Sequence, residues 1–321
     1  MPDILEPPLT TGGPVQQAHD VEQARSAPER EFTIKARSQS SMIVRRFLTH
    51  RLAVASLVVF GLLIVLSLVG GRVWTYNYAD VVKGAYSKPP SLQHPMGTDG
   101  IGHDVFAQVL RGAQKSVQIA LLVAILSTMI GSVVGAIAGY YRGWVDALLM
   151  RFVDLVLTIP SLAILAVLGA RFSSRAGGWF ALALVLAFLL WAPISRIVRG
   201  QFLSLREKEY VESARALGAS DARIIFRHLL PNALGPIIVN ATVLVAVAIL
   251  TETALSYLGL GIKPPDTSLG LLIQDGQAAA QTRPWLFYFP GLFIILIALT
   301  VNFIGDGLRD AFDPTQTRVR A

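Results

Sequence analysis

Long apolar stretches recur along the chain and alternate with shorter polar segments. Six of them contain no Asp, Glu, Lys or Arg, at residues 52–71, 116–141, 155–170, 176–195, 228–251 and 284–305. A membrane core about 30 Å thick needs about 20 apolar residues in a helix, because each residue adds about 1.5 Å. Five stretches meet that length, and the flanks of the third extend it. The pattern predicts an all-α, polytopic membrane protein with about six transmembrane helices.

The spans are predicted at about 52–74, 116–141, 148–169, 178–197, 234–252 and 286–303. The second span carries Gly131, Gly135 and Gly139, four residues apart. On a helix these glycines line one face and allow another helix to approach closely. Pro160 lies in the middle of the third span and predicts a kink there.

Polar segments divide the chain into regions. Residues 1–40 are rich in Pro, Gly, Gln and Ser and lack helical or strand periodicity, which predicts a disordered cytoplasmic tail. A transmembrane domain is predicted over 41–315, with an outside loop at 75–115 and a cytoplasmic loop at 199–231. The outside loop before the last span is rich in Gly and Pro and is predicted to be irregular and solvated. Residues 316–321 would end a second cytoplasmic tail.

Composition and charge narrow the class of protein. Of the 321 residues, 53% are hydrophobic and 15% are charged, against about 25% charged in a typical soluble domain. A soluble enzyme, a nucleic-acid-binding protein and a secreted disulfide scaffold are disfavoured, and the chain has no cysteine. The net charge of +7 indicates topology rather than nucleic acid, because 19 of the 28 Lys and Arg residues lie inside if the N-terminus is inside. Both termini are therefore predicted to be cytoplasmic.

Candidate chemistry within the spans is sparse. Arg151 and Asp154 are expected to pair near one end of the third span, and Glu252 to end the fifth span at the outer interface. The span centres are uncharged, which argues against a secondary transporter. Hydrolase motifs and a P-loop are missing, so an intramembrane enzyme is disfavoured and this chain is not expected to hydrolyse ATP. Residues 97–104 lie in the outside loop and lack the ligand pattern of a calcium-binding loop. We therefore expect them to cap a helix and form turns rather than to bind a metal.

The loop at 199–231 is too long for a simple connection, and its composition is helical. A helix is predicted over 206–217 and ends at Gly218, a position that favours the left-handed conformation. Ser220 begins a second short helix, which is predicted to stop at Pro231. One face of the first helix would carry Tyr210, Ala214 and Leu217, with Val211 beside them. The opposite face would carry Lys208, Glu212 and Arg215.

Within this loop a motif resembles the EAA loop of bacterial ABC importer permeases. It consists of Glu212-Ser213-Ala214, Gly218 and Leu230-Pro231. That family's pattern is E-A-A, three residues, G, nine residues, I, one residue and L-P, and the spacing matches at every step. Ser213 replaces the second residue, and His228 stands in the place of Ile, as is usual in the peptide and nickel branch.

Three further stretches resemble the same branch, so the resemblance covers about residues 43–315. The first is Gly97-Thr98-Asp99 with His103-Asp104, where His103 replaces an arginine of the family. The second is Tyr257-Leu258-Gly259-Leu260-Gly261 with Pro264-Pro265. The third comprises Asn302, Gly305-Asp306, Leu308-Arg309-Asp310 and Asp313-Pro314. The short first loop resembles the C-type (OppC/DppC-like) permease of the pair rather than the B-type.

The resemblance implies the type I ABC importer permease fold in the bacterial inner (plasma) membrane. It implies half of a pore for the uptake of an oligopeptide or dipeptide, or alternatively of nickel or another small solute. The implied partners are a homologous B-type permease subunit, two cytoplasmic ATPase subunits or one fused ATPase, an extracytoplasmic peptide-binding protein and the lipid bilayer. ATP and Mg²⁺ would bind to the ATPase, and this chain would bind no cofactor.

In such permeases the EAA loop is the coupling helix that docks on an ATPase. Here the face with Glu212 and Arg215 would contact the ATPase, while Ile224, Phe226 and Leu229 would hold the element against the spans. His228 is expected to hydrogen-bond a neighbouring carbonyl. The candidate coupling residues are Lys208, Glu209, Glu212, Ser213, Ala214, Arg215, Gly218, Ala219, His228 and Pro231.

Overall fold

The computed structural model describes residues 39–172 and 178–313, and the regular elements in these ranges are helices. They are α1 (Gln39–Thr49), α2 (Arg51–Val73), α3 (Val105–Tyr141), α4 (Gly143–Thr158), α5 (Ser161–Phe172), α6 (Gly178–Leu205), α7 (Glu209–Ala216), α8 (Asp221–Tyr257), α9 (Leu269–Gln277) and α10 (Trp285–Phe312). The tails predicted at 1–40 and 316–321 lie outside the described residues, apart from the start of α1.

Five helices are long and apolar enough to cross a membrane, namely α2, α3, α6, α8 and α10. A sixth crossing results if α4 and α5 form one span, which is bent by 73° between them. Ile159 at the bend is extended (φ −77°, ψ 130°), because the ring of the following Pro160 disfavours helical geometry at that residue. The predicted kink at Pro160 is therefore a sharp break. The all-α fold with five or six spans agrees with the sequence prediction.

The helices α3 and α6 pack together along the three glycines of the second span. A Cβ atom placed on Gly131, Gly135 or Gly139 would lie only 2.7–2.8 Å from a Cβ atom of α6. Carbon atoms that are not bonded do not approach so closely, so hydrogen alone fits at these positions. The close helix approach predicted from the glycine spacing is confirmed. The three α6 residues that face the glycines are Ile194, Val198 and Phe202.

One end of the helix bundle is covered by the segment between α2 and α3. Helix α3 has 37 residues and is about 55 Å long at 1.5 Å per residue, so it extends well beyond a 30 Å membrane core. Asp104 caps its start by accepting the Ala107 amide at 2.8 Å. The same carboxylate accepts from Trp74 Nε1 at 3.2 Å and lies 2.7 Å from His94 Nδ1. We call residues 74–104, the start of α3 and α9 the loop end of the bundle.

Helix α8 is continuous, so the stop predicted at Pro231 is wrong. A π-helical segment, Ile224–Leu229, lies directly before the turn that contains Pro231. Proline lacks an amide hydrogen and its ring crowds the carbonyl four residues earlier. That carbonyl belongs to Arg227, which lies in the π-helical segment. The second helix of the 199–231 loop and the fifth span are therefore one element.

The loop before the last span contains the buried helix α9, so the prediction of an irregular, solvated loop is wrong for this part. Ser268 caps α9 by accepting the Leu271 amide at 3.2 Å. A Cβ atom on Gly270 would lie 2.7 Å from Thr253 Cα of α8. The glycine therefore permits close packing of two helices, although glycine in a sequence also suggests a loop.

The predicted pair between Arg151 and Asp154 is not formed among the described residues. Asp154 instead accepts from Arg196 Nη2 of α6 at 2.5 Å. The two side chains are 45% and 52% exposed, so this pair contributes little to stability. The prediction considered only neighbours on the same helix, whereas α4 and α6 pack side by side.

Candidate functional site

The candidate coupling segment folds as a short helix, a glycine turn and the start of α8. Helix α7 closes where the Ala219 amide donates to Ala214 O and the Gly218 amide donates to Arg215 O, each at 3.0 Å. Gly218 has φ +77°, in the left-handed region where glycine is favoured. The Gly218 turn predicted from the sequence is confirmed, and it allows α8 to begin only three residues later.

Three aliphatic side chains attach this segment to the bundle. Val211 of α7 is fully buried, and so are Ile224 and Leu229 of the π-helical segment. Burial of each such side chain contributes about 1.5–3 kcal/mol relative to exposure. The segment is therefore packed onto the helix ends rather than held by its backbone alone.

Two large apolar side chains of this segment are exposed. Leu217 is 88% exposed and Phe226 is 70% exposed, so the role predicted for Phe226, holding the element against the spans, is wrong. Leu217 lies beyond the last residue of α7, where the turn rather than helical periodicity sets its direction. Phe226 lies in the π-helical segment, whose wider turns shift the periodicity assumed for an α-helix. Tyr210 is also 40% exposed.

Polar contacts fix the segment against the ends of α3 and α6, which we call the α7 end of the bundle. Tyr140 Oη of α3 donates to Asp221 Oδ1 at 2.6 Å. The Arg206 guanidinium donates to Tyr140 O. Arg142 Nη1 donates to Glu207 Oε1 at 3.0 Å. These contacts hold both the entry to α7 and the start of α8.

A charged pair links the end of α6 to α4 just before this segment. Arg199 Nε and Nη2 donate to the two oxygens of Asp146 on α4 at 2.5 and 2.6 Å. Such two-point geometry fixes orientation as well as distance. The end of α6 is thus held by α4 as well as by α3.

The structure brings the ten candidate coupling residues into one short stretch of surface around α7 and the start of α8. Seven are exposed and three are partly buried. The His228 ring lies 6.5 Å from the Tyr210 ring and donates to no carbonyl among the described residues. The exposed seven are Lys208, Glu209, Glu212, Ser213, Arg215, Gly218 and Pro231, and the partly buried three are Ala214, Ala219 and His228.

This surface combines charges of both signs with exposed apolar groups. Carboxylates such as Glu212 and guanidinium groups such as Arg215 surround a segment that also presents Leu217 and Phe226. Exposed apolar side chains next to charged groups are one composition that protein-binding surfaces use. The described residues contain no group of three or more metal-ligating side chains. The surface therefore offers both charged and apolar groups for contacts with another protein.

A carboxylate near the loop end is buried among helices. Glu252 of α8 is fully buried, which the sequence prediction did not foresee. It accepts from Ser116 Oγ at 2.8 Å and from Ser256 Oγ at 2.7 Å. Ser256 in turn accepts from Ser268 Oγ, the cap of α9, at 3.2 Å. Glu252 thus joins α3, α8 and α9, and no feature of the sequence singles out these serines.

An ion cluster ties the loop before α9 to α3. Arg111 Nε donates to Asp266 Oδ1 at 2.8 Å, and Lys115 Nζ lies 3.2 Å from Asp266 Oδ2. Burial alone would raise the pKa of Asp266. The hydrogen bonds and positive charges of Arg111 and Lys115 outweigh burial and hold that pKa below its usual value.

Removing this carboxylate should destabilise the protein at neutral pH. We expect Asp266→Asn to lower stability by about 1–2 kcal/mol, less than a fully buried pair because a quarter of Asp266 is exposed. Because the pKa of Asp266 is lower in the folded state, its ionised form stabilises the fold at pH values above the unfolded-state pKa of about 3.9. This stabilisation is lost as the pH falls through the folded-state pKa. The difference in thermal midpoint between wild type and variant should persist from pH 8 to 5 and shrink below about pH 4. A difference that grows on acidification would contradict the ion cluster.

The segment around 97–104 forms a turn, as expected. Asp99 Oδ1 accepts the amides of Ile101, Gly102 and His103 at 2.8–2.9 Å, and Asp99 Oδ2 lies 2.7 Å from His103 Nδ1. Burial would raise the pKa of Asp99, but these hydrogen bonds and the charge of His103 hold it below the usual value. His103 therefore orders the loop that leads into α3.

Two protein families match this chain. Residues 131–318, more than half of the chain, match the family described as "Binding-protein-dependent transport system inner membrane component". Residues 38–95 match the family described as "N-terminal TM domain of oligopeptide transport permease C". Together they cover most of the helices described above.

Similar proteins are found in several bacteria. The chain is 46% identical over 283 residues to "Oligopeptide transport system permease protein OppC" of Mycobacterium bovis. The aligned region covers 88% of this chain and 97% of that protein. It is 41% identical over 271 residues to a "Putative peptide permease protein" of Brucella suis, and the aligned region covers 84% of this chain and 89% of that protein. It is 36% identical over 292 residues to "Dipeptide transport system permease protein DppC" of Alkalihalophilus pseudofirmus, with 89% and 93% covered. The chain therefore belongs to the family of inner-membrane permease components of binding-protein-dependent (ABC) transport systems, in its OppC/DppC-like branch.

Proposed function

We propose that this permease forms half of a membrane pore for peptide import and that α7 couples the pore to ATP hydrolysis on a separate ATPase. As a permease component the chain is a non-catalytic membrane subunit. The observation that carries the coupling proposal is the α7–Gly218–α8 element, which is packed onto the bundle but presents a charged and apolar outer surface. The names of its relatives support peptides as the substrate.

The continuity of α8 supports a mechanical role. A single helix runs from Asp221, beside α7, to Tyr257, beyond the buried Glu252. Its 37 residues span about 55 Å at 1.5 Å per residue. A displacement of α7 would therefore be transmitted along α8 to the contacts that Glu252 makes with α3 and α9. The three buried aliphatic side chains Val211, Ile224 and Leu229 prevent the segment from moving independently of the bundle.

We propose that the ATPase contacts two kinds of group on this surface. Leu217 and Phe226 would enter an apolar groove, and Glu212 and Arg215 would form polar contacts at its rim. Interfaces commonly place apolar anchors at the centre and charges at the edge. ATP and Mg²⁺ bind to the ATPase in this proposal, and this chain binds no cofactor.

The orientation follows from the same surface. Residues 196–227 hold seven basic and four acidic side chains, so the positive-inside rule supports a cytoplasmic α7 end. If α4 and α5 cross as one span, both termini are cytoplasmic. The loop end then faces the extracytoplasmic peptide-binding protein, and exposed apolar side chains of the spans face lipid and a homologous B-type permease. The ATPase is either two subunits or one fused chain.

Charge reversal at Glu212 tests the coupling proposal. We expect Glu212→Lys to lower ATP-dependent uptake of a labelled peptide at least fivefold in proteoliposomes that contain the whole transporter, because an exposed contact charge is inverted. Asp80→Lys, at an exposed position of the loop end, is the matched charge reversal and should retain ATPase binding. The amount of permease in the membrane should be normal in both variants. Normal uptake by Glu212→Lys would remove Glu212 from the docking surface.

A further inference from the structure

A small polar cavity opens at the loop end between the last turn of α2, residues 76–78 and the first turns of α3. Its volume is about 210 Å³. Because one water occupies about 30 Å³ of liquid volume, the cavity can hold a group far larger than a single ion. The hydrogen-bonding side chains that line it include those of Arg72, Tyr76, Asn77, Arg111 and Gln114.

The cavity carries an excess of positive charge. None of its lining residues is acidic. Arg72 is exposed and makes no hydrogen bond or ion pair among the described residues. Arg111 shares its one carboxylate partner, Asp266, with Lys115. Two guanidinium groups therefore meet at the cavity while only one of them has an acidic partner, which favours an anionic occupant.

The cavity lies where the apolar helix α2 ends, a position expected at the level of lipid headgroups. Arg72 is in the last turn of the apolar helix α2, and Trp74, Tyr76 and Tyr78 follow it. Aromatic residues concentrate where a span leaves the hydrocarbon core. Much of α2 faces outward, since Leu62 is 63% exposed and other apolar side chains of that helix are similarly exposed. The apolar face of α2 that leads up to the cavity is thus open in this subunit.

The ring of Tyr78 orients one of the two cations. The Arg111 guanidinium carbon lies 5.0 Å from the centre of the Tyr78 ring, and Arg111 Nη1 donates to Gln114 Oε1 at 3.2 Å. These contacts, with those to Asp266, fix the guanidinium at the cavity wall. A preorganised cation loses little conformational freedom when an anion binds.

We propose that this cavity binds the phosphate of an anionic phospholipid, with Arg72 as its principal ligand and Arg111 and Asn77 as further donors. Basic pockets between membrane helices bind such headgroups on the cytoplasmic side of membranes, and the same charge-assisted hydrogen bonds are available to a phosphate in either leaflet. The proposal does not depend on coupling through α7. The orientation proposed above determines only which leaflet supplies the lipid.

Native mass spectrometry of the purified transporter tests this inference. Delipidated complex is titrated with phosphatidylglycerol or with zwitterionic phosphatidylcholine. We expect the wild type to retain phosphatidylglycerol preferentially and Arg72→Gln to weaken its binding about tenfold, the effect of one strong charge-assisted contact. Lys83→Gln removes an exposed cation of the same loop that does not line the cavity and should bind like the wild type.

A second variant tests the effect of reducing the cavity volume without changing its charge. A Cβ atom on Gly71, which lines the cavity, would have no atom within 4 Å. Gly71→Leu should therefore add bulk at the cavity wall without a collision, keep every charge and still weaken phosphatidylglycerol binding about tenfold. Equal binding of the two lipids by the wild type, or equal loss in Lys83→Gln and Arg72→Gln, would overturn the proposal. Displacement of the lipid by millimolar inorganic phosphate or by a peptide carboxylate would assign the cavity to a soluble anion and would also overturn it.

Discussion

Gly218→Val is expected to reduce peptide uptake at least tenfold while the permease still inserts into the membrane. Gly218 has φ +77°, and a residue with a Cβ atom pays about 1–2 kcal/mol in that conformation, with β-branched residues affected most. A Cβ atom there would meet nothing within 4 Å, so the effect arises from the backbone and not from a collision. The turn would open and α7 would leave its position at the start of α8.

Gly218→Asn is the control that isolates the backbone effect. Asparagine adopts the left-handed conformation far more readily than valine, and open space surrounds the position. We expect Gly218→Asn to retain most of the uptake that Gly218→Val loses. The measurement is ATP-dependent uptake of a labelled peptide, normalised to the permease detected in the membrane. Equal loss in the two variants would show that side-chain bulk on the docking surface, rather than the turn, is responsible.

Gly135→Leu is expected to destabilise the folded permease. A Cβ atom at this position would lie 2.8 Å from Val198 Cβ and 3.0 Å from the Arg199 backbone nitrogen. Because a backbone atom cannot move aside, the two helices must separate. The cost is about 3 kcal/mol or more, which lowers the melting temperature by roughly 10 °C for a domain of this size. The measurement is the melting temperature of the purified transporter, followed by size-exclusion chromatography after heating.

Gly200→Ala provides the matched substitution on the facing helix. Gly200 also lies in α6, but a Cβ atom there would meet nothing within 4 Å. Alanine favours the helical conformation by about 1 kcal/mol relative to glycine, so this variant should melt at the same temperature as the wild type or slightly higher. A Gly135→Leu transporter that melts like the wild type would disprove the close packing of α3 on α6.

Features that depend on one helix at a time were predictable from the sequence. Charge-free runs located the spans because the membrane core excludes charge. The spacing of Gly131, Gly135 and Gly139 predicted a close helix contact because four residues return to nearly the same face of a helix. Gly218 was predictable because the left-handed conformation that closes a helix favours glycine.

Features that depend on pairs of helices were not predictable in the same way. Asp154 bonds Arg196 on a neighbouring helix rather than Arg151 on its own. The end of an apolar run indicated where Glu252 lies along the fifth span but not its burial, because the serines grouped around it come from α3, α8 and the cap of α9. No local pattern brings these side chains together.

The candidate coupling segment contains both a feature that the sequence predicted and one that it did not. The sequence located all ten candidate residues within one loop, because the spacing of the motif is local. It did not predict that Leu217 and Phe226 face outward. The end of α7 and the π-helical segment change the periodicity at these two positions, and a regular helical pattern cannot anticipate either change. The surface around α7 is therefore more apolar than the sequence indicated.

Site-directed crosslinking tests the coupling proposal most directly. The chain has no cysteine, so Leu217→Cys introduces a single thiol into this subunit, to which a maleimide-linked benzophenone can be attached. Leu92→Cys, fully exposed at the loop end, is the control. If α7 docks on the ATPase, illumination of the assembled transporter will crosslink the Leu217→Cys subunit to an ATPase subunit and will not crosslink the Leu92→Cys subunit to it. Crosslinking of Leu92→Cys to the ATPase without crosslinking of Leu217→Cys would contradict both the docking surface and the orientation.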